Sequence, residues 1–501
     1  MAKLRPARLF LFLTLAVLLA ARLTGPSALQ RFDQPKTVSY TADIVANGRW
    51  LWPRDMRGLP ATKPPLVNWL AAPVVAMGFW TEWAVKWPML AGSLATLAMC
   101  IAMARRLMER THAANQNAHL VADVASLAGI AWLLNPAITV AIYYCRPDPL
   151  LVAFLTGAWI LGTDLVDPAK PRRVSTALMF WLCVGLAALT KGPAALLPVI
   201  YLPLAARLLF GNWKHAARTQ WWWGLPFAAA IFAAWVVPVA LSYPEDFEKI
   251  LIKRELFAPI IGLGARYGSP GVTNEGPFAI LTGILHNPHW FLSGFAPWSL
   301  AAIGALIIIR PRNWFRHAMA PAILWLFLVI AFFTFSANKT EDYIMPAYPA
   351  AAILAAFFCA KILQRFRLQP VYAALLGCLL LLGFVLQIFF FSSAAKSRSG
   401  DELKKFAQQA QPKIDNQPVI FIDTGYNTLQ FFLRRNQTEK PDDAAVANAR
   451  WVIMPMPAQF SENLAVISSA NVATDRDESL YLGLYGREVI EPLLRDKGLR
   501  R

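Results

Sequence analysis

Long apolar runs recur along the chain from Leu9 to Phe391, separated by short polar breaks. A run of about 20 apolar residues crosses the ~30 Å hydrocarbon core of a bilayer. The pattern predicts transmembrane helices near 9–29, 85–106, 120–142, 149–166, 174–190, 193–210, 221–242, 291–309, 318–335, 344–363 and 371–393. The breaks alternate in character. Counted from a cytoplasmic N-terminus, the cytoplasmic ones hold Arg105-Arg106-Arg110, Lys170-Arg172-Arg173, Lys214-Arg218, Arg310-Arg312-Arg316 and Lys361-Arg365-Arg367. Each is a basic cluster, as the positive-inside rule requires.

That topology depends on the apolar block Leu66 to Trp80. If it crossed the membrane, every later basic cluster would fall outside. The block is short, follows Pro64-Pro65, contains Pro73, and carries Trp69 and Trp80 with Trp83 just beyond. These features predict an interfacial helix lying along the membrane surface, with a twelfth short span as the alternative.

The external face then collects the unusual residues. They are the loops 30–84 and 243–290, Tyr143-Tyr144-Cys145-Arg146-Pro147-Asp148, Thr190-Lys191-Gly192-Pro193, and Ser336 to Tyr343. In the first loop Asp33, Lys36, Asp43, Arg49, Arg54, Asp55, Arg57 and Lys63 are interleaved with Trp and Pro. Charges at span ends are costly in lipid and mark substrate or ion sites, although each one singly also reads as a snorkelling or solvated residue.

The tail differs in kind. Pro418 to Asp423 and Arg450 to Pro455 read as buried strands, alternating with amphipathic helices near 401–411 and 426–434. The expected organisation is a membrane domain over 1–393 and a small soluble α/β domain over 394–501, outside the plasma (inner) membrane on the same face as the polar loops.

Composition agrees with this class. Of 501 residues 57% are hydrophobic and 16% charged, with 19 Trp and 31 Phe. A β-barrel would need short alternating segments. The net charge of +18 does not point to nucleic acid, because the Lys and Arg sit in short clusters between apolar blocks. Cys100, Cys183, Cys359 and Cys378 lie within predicted spans and Cys145 at a span edge, without a C-x-x-C pair, so packing is their expected role. Lys3, Arg5 and Arg8 before Leu9–Ala21 resemble a signal peptide, but with so many spans following, an uncleaved first helix is expected.

The chain has no G-x-x-x-x-G-K-[ST] phosphate loop and no H-E-x-x-H, which argues against ATP-driven transport within the chain and intramembrane metalloproteolysis. His286 and His289, at i and i+3, would face one metal ion if helical, but such residues are more often simply interfacial. No cofactor is expected, and no residue pattern supports a divalent cation.

At this point the residues carry a family resemblance. Asp33-x-x-Lys36, Gly48-x-Trp50-x-x-Pro53-x-x-x-x-Gly58 and Lys63-Pro64-Pro65-Leu66-x-x-Trp69 resemble the lipid-linked sugar transferases of the GT-C superfamily. The nearest branch is the aminoarabinose transferase and protein O-mannosyltransferase-like one. Asp148-Pro149, Leu186-Ala-x-Leu-Thr-Lys-Gly-Pro193, Pro297-Trp298-Ser299 and Phe335-Ser336-x-x-Lys339-x-x-x-Tyr343-Ile-x-Pro346 follow in order. Together they cover roughly residues 1–365, and the tail matches none of them.

The resemblance implies a GT-C bundle of about 11 spans that transfers a sugar from a polyprenyl-phosphate donor. The acceptor would be a lipid, glycan or protein on the periplasmic or external face. Asp33 takes the place of the catalytic base or acceptor-orienting acid, and Asp148 that of a second acid. Lys63 and Lys36 take the places of donor-phosphate ligands, and Lys191, Lys339 and Tyr343 those of further polar contacts. Four positions depart from the usual pattern. Gln34 replaces a second acid, Lys36 an arginine, Thr37 an aromatic, and Thr62 an acid before the K-P-P lysine.

The chemistry is coherent by itself. A cation beside a prenyl phosphate stabilises charge as the glycosyl bond breaks, and an acceptor hydroxyl needs a carboxylate within hydrogen-bond reach. A non-enzymatic lipid-carrier transporter or flippase needs the same cations and is the alternative. Transporters more often show inverted repeats, and no such symmetry is visible in this sequence.

Overall fold

The structure, a computed structural model, describes residues 6–24, 34–111, 118–257, 272–273, 279–334, 338–366, 382–383, 385–386, 401–415, 417–422, 427–435, 448–455, 468–473 and 479–486. The membrane half begins with α1 (Pro6–Thr24), α2 (Gln34–Asn47), α3 (Leu66–Ala76), α4 (Glu82–Thr111), α5 (Ala118–Leu133) and α6 (Pro136–Tyr143). It continues through α7 (Asp148–Val166), α8 (Val174–Lys191), α9 (Leu196–Leu208) and α10 (Trp221–Ser242). A π-helical segment Phe247–Phe257 precedes α11 (Ala279–Gly294), α12 (Trp298–Ile309), α13 (Ala320–Thr334) and α14 (Tyr348–Phe366). Among the described residues several of these helices are long and apolar enough to cross a bilayer. The protein is a polytopic helical membrane protein.

Two predicted spans are reshaped. The span 120–142 divides at Asn135, because Pro136 has no N–H for a helix interior and Asn135 instead caps a new helix through the Ile138 N–H. The span 291–309 is a pair of helices bent by 112° around Phe295–Pro297. The span 371–393 lies outside the described residues except for four positions. At Gly192 (φ +68°) the chain reverses, a conformation that favours glycine. α8 and α9 are therefore neighbours, and Phe180 and Leu202 both approach Gly162 of α7.

α7 is the axis of the bundle, with Leu155, Ala158 and Trp159 fully covered. Its first turn lies against α4 at Gly92, where an added Cβ would meet Leu150 Cα and Pro149 O at 2.7 Å. At its far end the basic clusters gather. Arg106 and Lys170 pair with Asp164, Arg110 pairs with Asp167, and Arg218 donates to the Leu165 and Lys170 carbonyls.

Over the near end lies the loop between α1 and α4. α3 has 11 residues, about 16 Å of rise and half the depth of a bilayer core. Asn68 ties it to α2 by donating to the Thr37 carbonyl and to Thr41 Oγ1, both at 2.8 Å. The indole N–H groups of Trp52, Trp69 and Trp235 donate to the Ala61, Trp50 and Leu51 carbonyls. Asp43, fully buried, accepts from Asn47, Arg49 and the Arg54 backbone.

The tail forms α15 (Asp401–Ile414), β3 (Val419–Phe421), α16 (Asn427–Phe432), β4 (Trp451–Pro455), β5 (Ser468–Ala473) and β6 (Ser479–Gly486). The sheet order is β3-β4-β6-β5, with β3 parallel to β4 and the other pairs antiparallel. Both expected strands and both expected helices are present. The remaining two strands, β1 (Val272–Thr273) and β2 (Asn338–Lys339), pair with each other in the membrane half.

Candidate active site

Asp148 opens α7, followed by Pro149, a residue suited to a first helical turn. There its carboxylate faces the positive end of the helix dipole. The side chain is buried, and Lys191, the last residue of α8, pairs with its Oδ1. Arg146 lies with Nε 3.5 Å from Asp148 Oδ2 and Nη2 2.5 Å from Asp342 Oδ2. Asp342 sits in the 3-10 turn Glu341–Ala347 that leads into α14. Two carboxylates and two cations thus alternate as Lys191–Asp148–Arg146–Asp342. An isolated buried ion costs several kcal/mol, which the alternation of sign offsets. The Lys191 ammonium also stands 5.2 Å from the Tyr343 ring centroid, and that ring stacks on Phe333.

One atom is left over. Asp148 Oδ2 is buried and accepts no hydrogen bond among the described residues. Arg146 Nε at 3.5 Å attracts it without hydrogen-bond geometry. A buried acceptor without a partner costs about 1–3 kcal/mol, and such a group calls for an explanation.

Three cavities meet at this cluster. An apolar groove of about 1260 Å³, open at its mouth, runs between α8, α9, α10 and the π-helical segment; Phe232, Trp235, Phe247 and Leu251 line it, and Lys63, Lys191 and Glu255 stand at its polar end. A cleft of about 620 Å³ under α2 and α3 holds Lys36, Tyr40, Lys63, Arg146, Asp148 and Lys191. On the other side of Arg146 and Asp148 lies a third cavity of about 980 Å³, with Tyr144, Ser293, Asp342 and Tyr348 in its wall.

The structure brings together five of the residues singled out in the sequence. Asp148, Lys191 and Tyr343 form the cluster, Lys36 lines the cleft, and Lys63 joins cleft to groove while pairing with Glu255. Lys339 is placed by its backbone alone, on β2 opposite Val272. Asp33 lies outside the described residues. The His286 ring packs on Trp290, and among the described residues no group of three or more His, Cys, Asp or Glu could hold a metal ion.

Arg146, Asp342 and Glu255 were not singled out individually. The first two lie in polar segments flagged at span ends, which was their one signal. Glu255 gave none. Gln34, in the place of an acid, is fully buried and accepts the Cys145 N–H at 2.8 Å, so it ties α2 to the backbone beside Arg146. Burial pushes the Cys145 thiol up to about 12, which keeps it protonated and confined to packing.

The bundle has the GT-C fold, as its likeness to two solved structures shows. ArnT from Cupriavidus metallidurans bound to undecaprenyl phosphate superposes with a TM-score of 0.68 at 18% identity, covering 95% of this chain and 97% of that one. Its apo form gives 0.66. Among relatives, an undecaprenyl phosphate-alpha-4-amino-4-deoxy-L-arabinose arabinosyl transferase from Erwinia tasmaniensis is 23% identical over 353 residues, 67% of this chain and 57% of that protein. Its namesake from Pseudomonas aeruginosa is 24% identical over 371 residues, 71% and 59% respectively. The chain thus spans somewhat under three fifths of these relatives' length. No family model matches. The resemblance read from the motifs holds in both relatives and fold.

Proposed function

We propose that this protein transfers a sugar from a polyprenyl-phosphate carrier to a lipid, glycan or protein acceptor on the periplasmic or external face of the inner membrane. The observation that carries this reading is the Lys191–Asp148–Arg146–Asp342 cluster where an apolar groove meets two polar cavities. A prenyl chain suits the groove, and its phosphate at the polar end would meet Lys63 and Lys191. The relatives' names and the lipid bound to the similar ArnT structure are in keeping with such a donor.

The acceptor enters from the Tyr144–Asp342 side. Its oxygen bonds to the anomeric carbon as the bond from that carbon to the phosphate oxygen breaks, and the phosphate leaves with the electron pair. Where the acceptor is a hydroxyl, its proton passes to a carboxylate. Asp33 is the proposed base. Asp148 Oδ2, buried and with an unused lone pair, receives the acceptor's hydrogen bond and orients it. Lys36, Lys63 and Lys191 offset the charge that develops on the leaving phosphate, Tyr343 holds Lys191 in place, and Lys339 makes a further donor contact. Residues 1–393 form the catalytic unit and 394–501 an external α/β domain. No cofactor enters this scheme.

The test is a glycan and lipid profile of cells lacking the protein. One missing modification together with an accumulated polyprenyl-linked sugar is expected, restored by the wild-type chain but not by Asp33→Asn or Asp148→Asn. Unchanged profiles would overturn the reading. Rescue by both carboxamide variants would favour a carrier role instead.

A further inference from the structure

The C-terminal domain touches the membrane half through a side chain that takes no part in its own core. Phe431 of α16 is fully buried, but it belongs to a core shared with Val38, Tyr40 and Ala42 of α2 and Leu66, Val67 and Ala71 of α3, and α16 packs directly on α2. Its ring centroid lies 5.4 Å from that of Trp80. Leu429 and Leu433, on the other side of the same turn, belong to the domain's own core with Leu403, Phe406 and Leu484. Phe432 packs against both cores. α16 is thus a short two-faced peg.

What the peg presses on is the wall of the cleft. Tyr40 and Val67 share the cluster with Phe431 and also line the cavity that holds Lys36, Lys63 and Asp148. The wall consists of two helices of 14 and 11 residues. Helices this short have little stability of their own in water, so what packs against them sets their position. On the cleft side they border a cavity; behind them α2 is backed by α16 with Phe431, and α3, packed on α2, is backed by α4 and α8.

We propose that Phe431 is a positioning residue through which the C-terminal domain holds the α2–α3 wall in register with the charged cluster. The kinetic consequence rests on the transferase reading above, whereas the structural consequence does not. The peg fixes the distance between the wall's cations and the cluster, so its loss weakens donor binding before it alters the chemical step.

The experiment uses the full chain in detergent with Phe431→Ala, Phe431→Leu, and Leu403→Val as a control that loosens the tail's own core. Amide hydrogen exchange across 34–47 and 66–76 reads the wall, and KM and kcat for a polyprenyl-phosphate sugar read the cleft. For Phe431→Ala, exchange in both helices rises and donor KM rises about tenfold with kcat within about twofold, since slight misplacement of binding groups is enough for such losses. Phe431→Leu recovers most of both, and Leu403→Val lowers the melting temperature while leaving both unchanged. Unaltered exchange and KM in Phe431→Ala overturn the proposal, as does an equal effect from Leu403→Val. Increased exchange in a protein whose wild type turns over no polyprenyl-phosphate sugar would remove the transferase reading and leave the wall support standing.

Discussion

The two ends of α7 carry the same residue types and do different things with them. At the far end Asp164 and Asp167 pair with Arg106, Arg110 and Lys170, whose side chains are about a third to a half exposed. Such pairs are worth little, commonly ~0–1 kcal/mol, and their main content is topological. At the near end Asp148 and Asp342 are almost wholly buried, and so in large part are Lys191 and Arg146. There each charge depends on its partner, and Asp148, which lines two cavities, keeps one buried oxygen without a hydrogen bond. Residue type does not separate the two networks, and neither does burial of the acids, since Asp167 is as covered as Asp342; what differs is burial of the cations, which is deeper at the near end.

Neutralising one acid at each end of α7 tests the difference between the two networks most directly. Asp148→Asn should lower single-turnover transfer by about 10²–10³-fold, as removal of a preorganised electrostatic group does, while Asp164→Asn stays near wild type. Equal effects from the two variants would end the distinction. Arg146→Lys should follow, with about a 10- to 100-fold loss, because a lysine cannot span both Asp148 and Asp342 as the forked guanidinium does. Wild-type turnover in this variant would show that the shared arginine is dispensable.

Smaller effects probe the head of the groove. Lys63→Ala should raise donor KM about tenfold with kcat nearly constant, the mark of lost ground-state binding. Glu255→Gln removes the anion that Lys63 pairs with and should move KM downward by about two- to threefold. Shifts of the same sign in both variants would argue that the pair is purely structural. Gln34→Leu leaves the buried Cys145 N–H unpaired and should lower stability by about 1–3 kcal/mol, read as a drop in melting temperature. Gln34→Glu keeps an acceptor there and should cost less than Gln34→Leu; the reverse order would discount the hydrogen bond. At the basic end Arg106→Gln should change unfolding free energy by under about 1 kcal/mol, read by denaturant titration.

Much of this was legible in the chain. Apolar runs announce helices because lipid forces backbone groups to pair within the segment, and Pro64-Pro65 before Leu66 foreshadowed a short helix. Asp148, Lys191 and Tyr343 stood out as polar residues at span ends. The divided span at Asn135 and the bend at Phe295–Pro297 were not resolved, because mean hydropathy over a window does not register where a helix breaks. Arg146 and Asp342 were visible as charges, but not as partners 196 positions apart.

The sequence alone determined a polytopic helical protein, the segregation of basic and mixed-charge loops, and the residue types available for chemistry. These follow from local composition, which the bilayer reads segment by segment. Only the tertiary structure decided which charges meet. It paired Lys63 with Glu255, left Asp148 Oδ2 unbonded, gave Gln34 the Cys145 N–H to hold, and set Phe431 behind the cleft wall. Contacts between residues far apart in the chain depend on how buried surfaces fit, and that information is distributed over many residues at once.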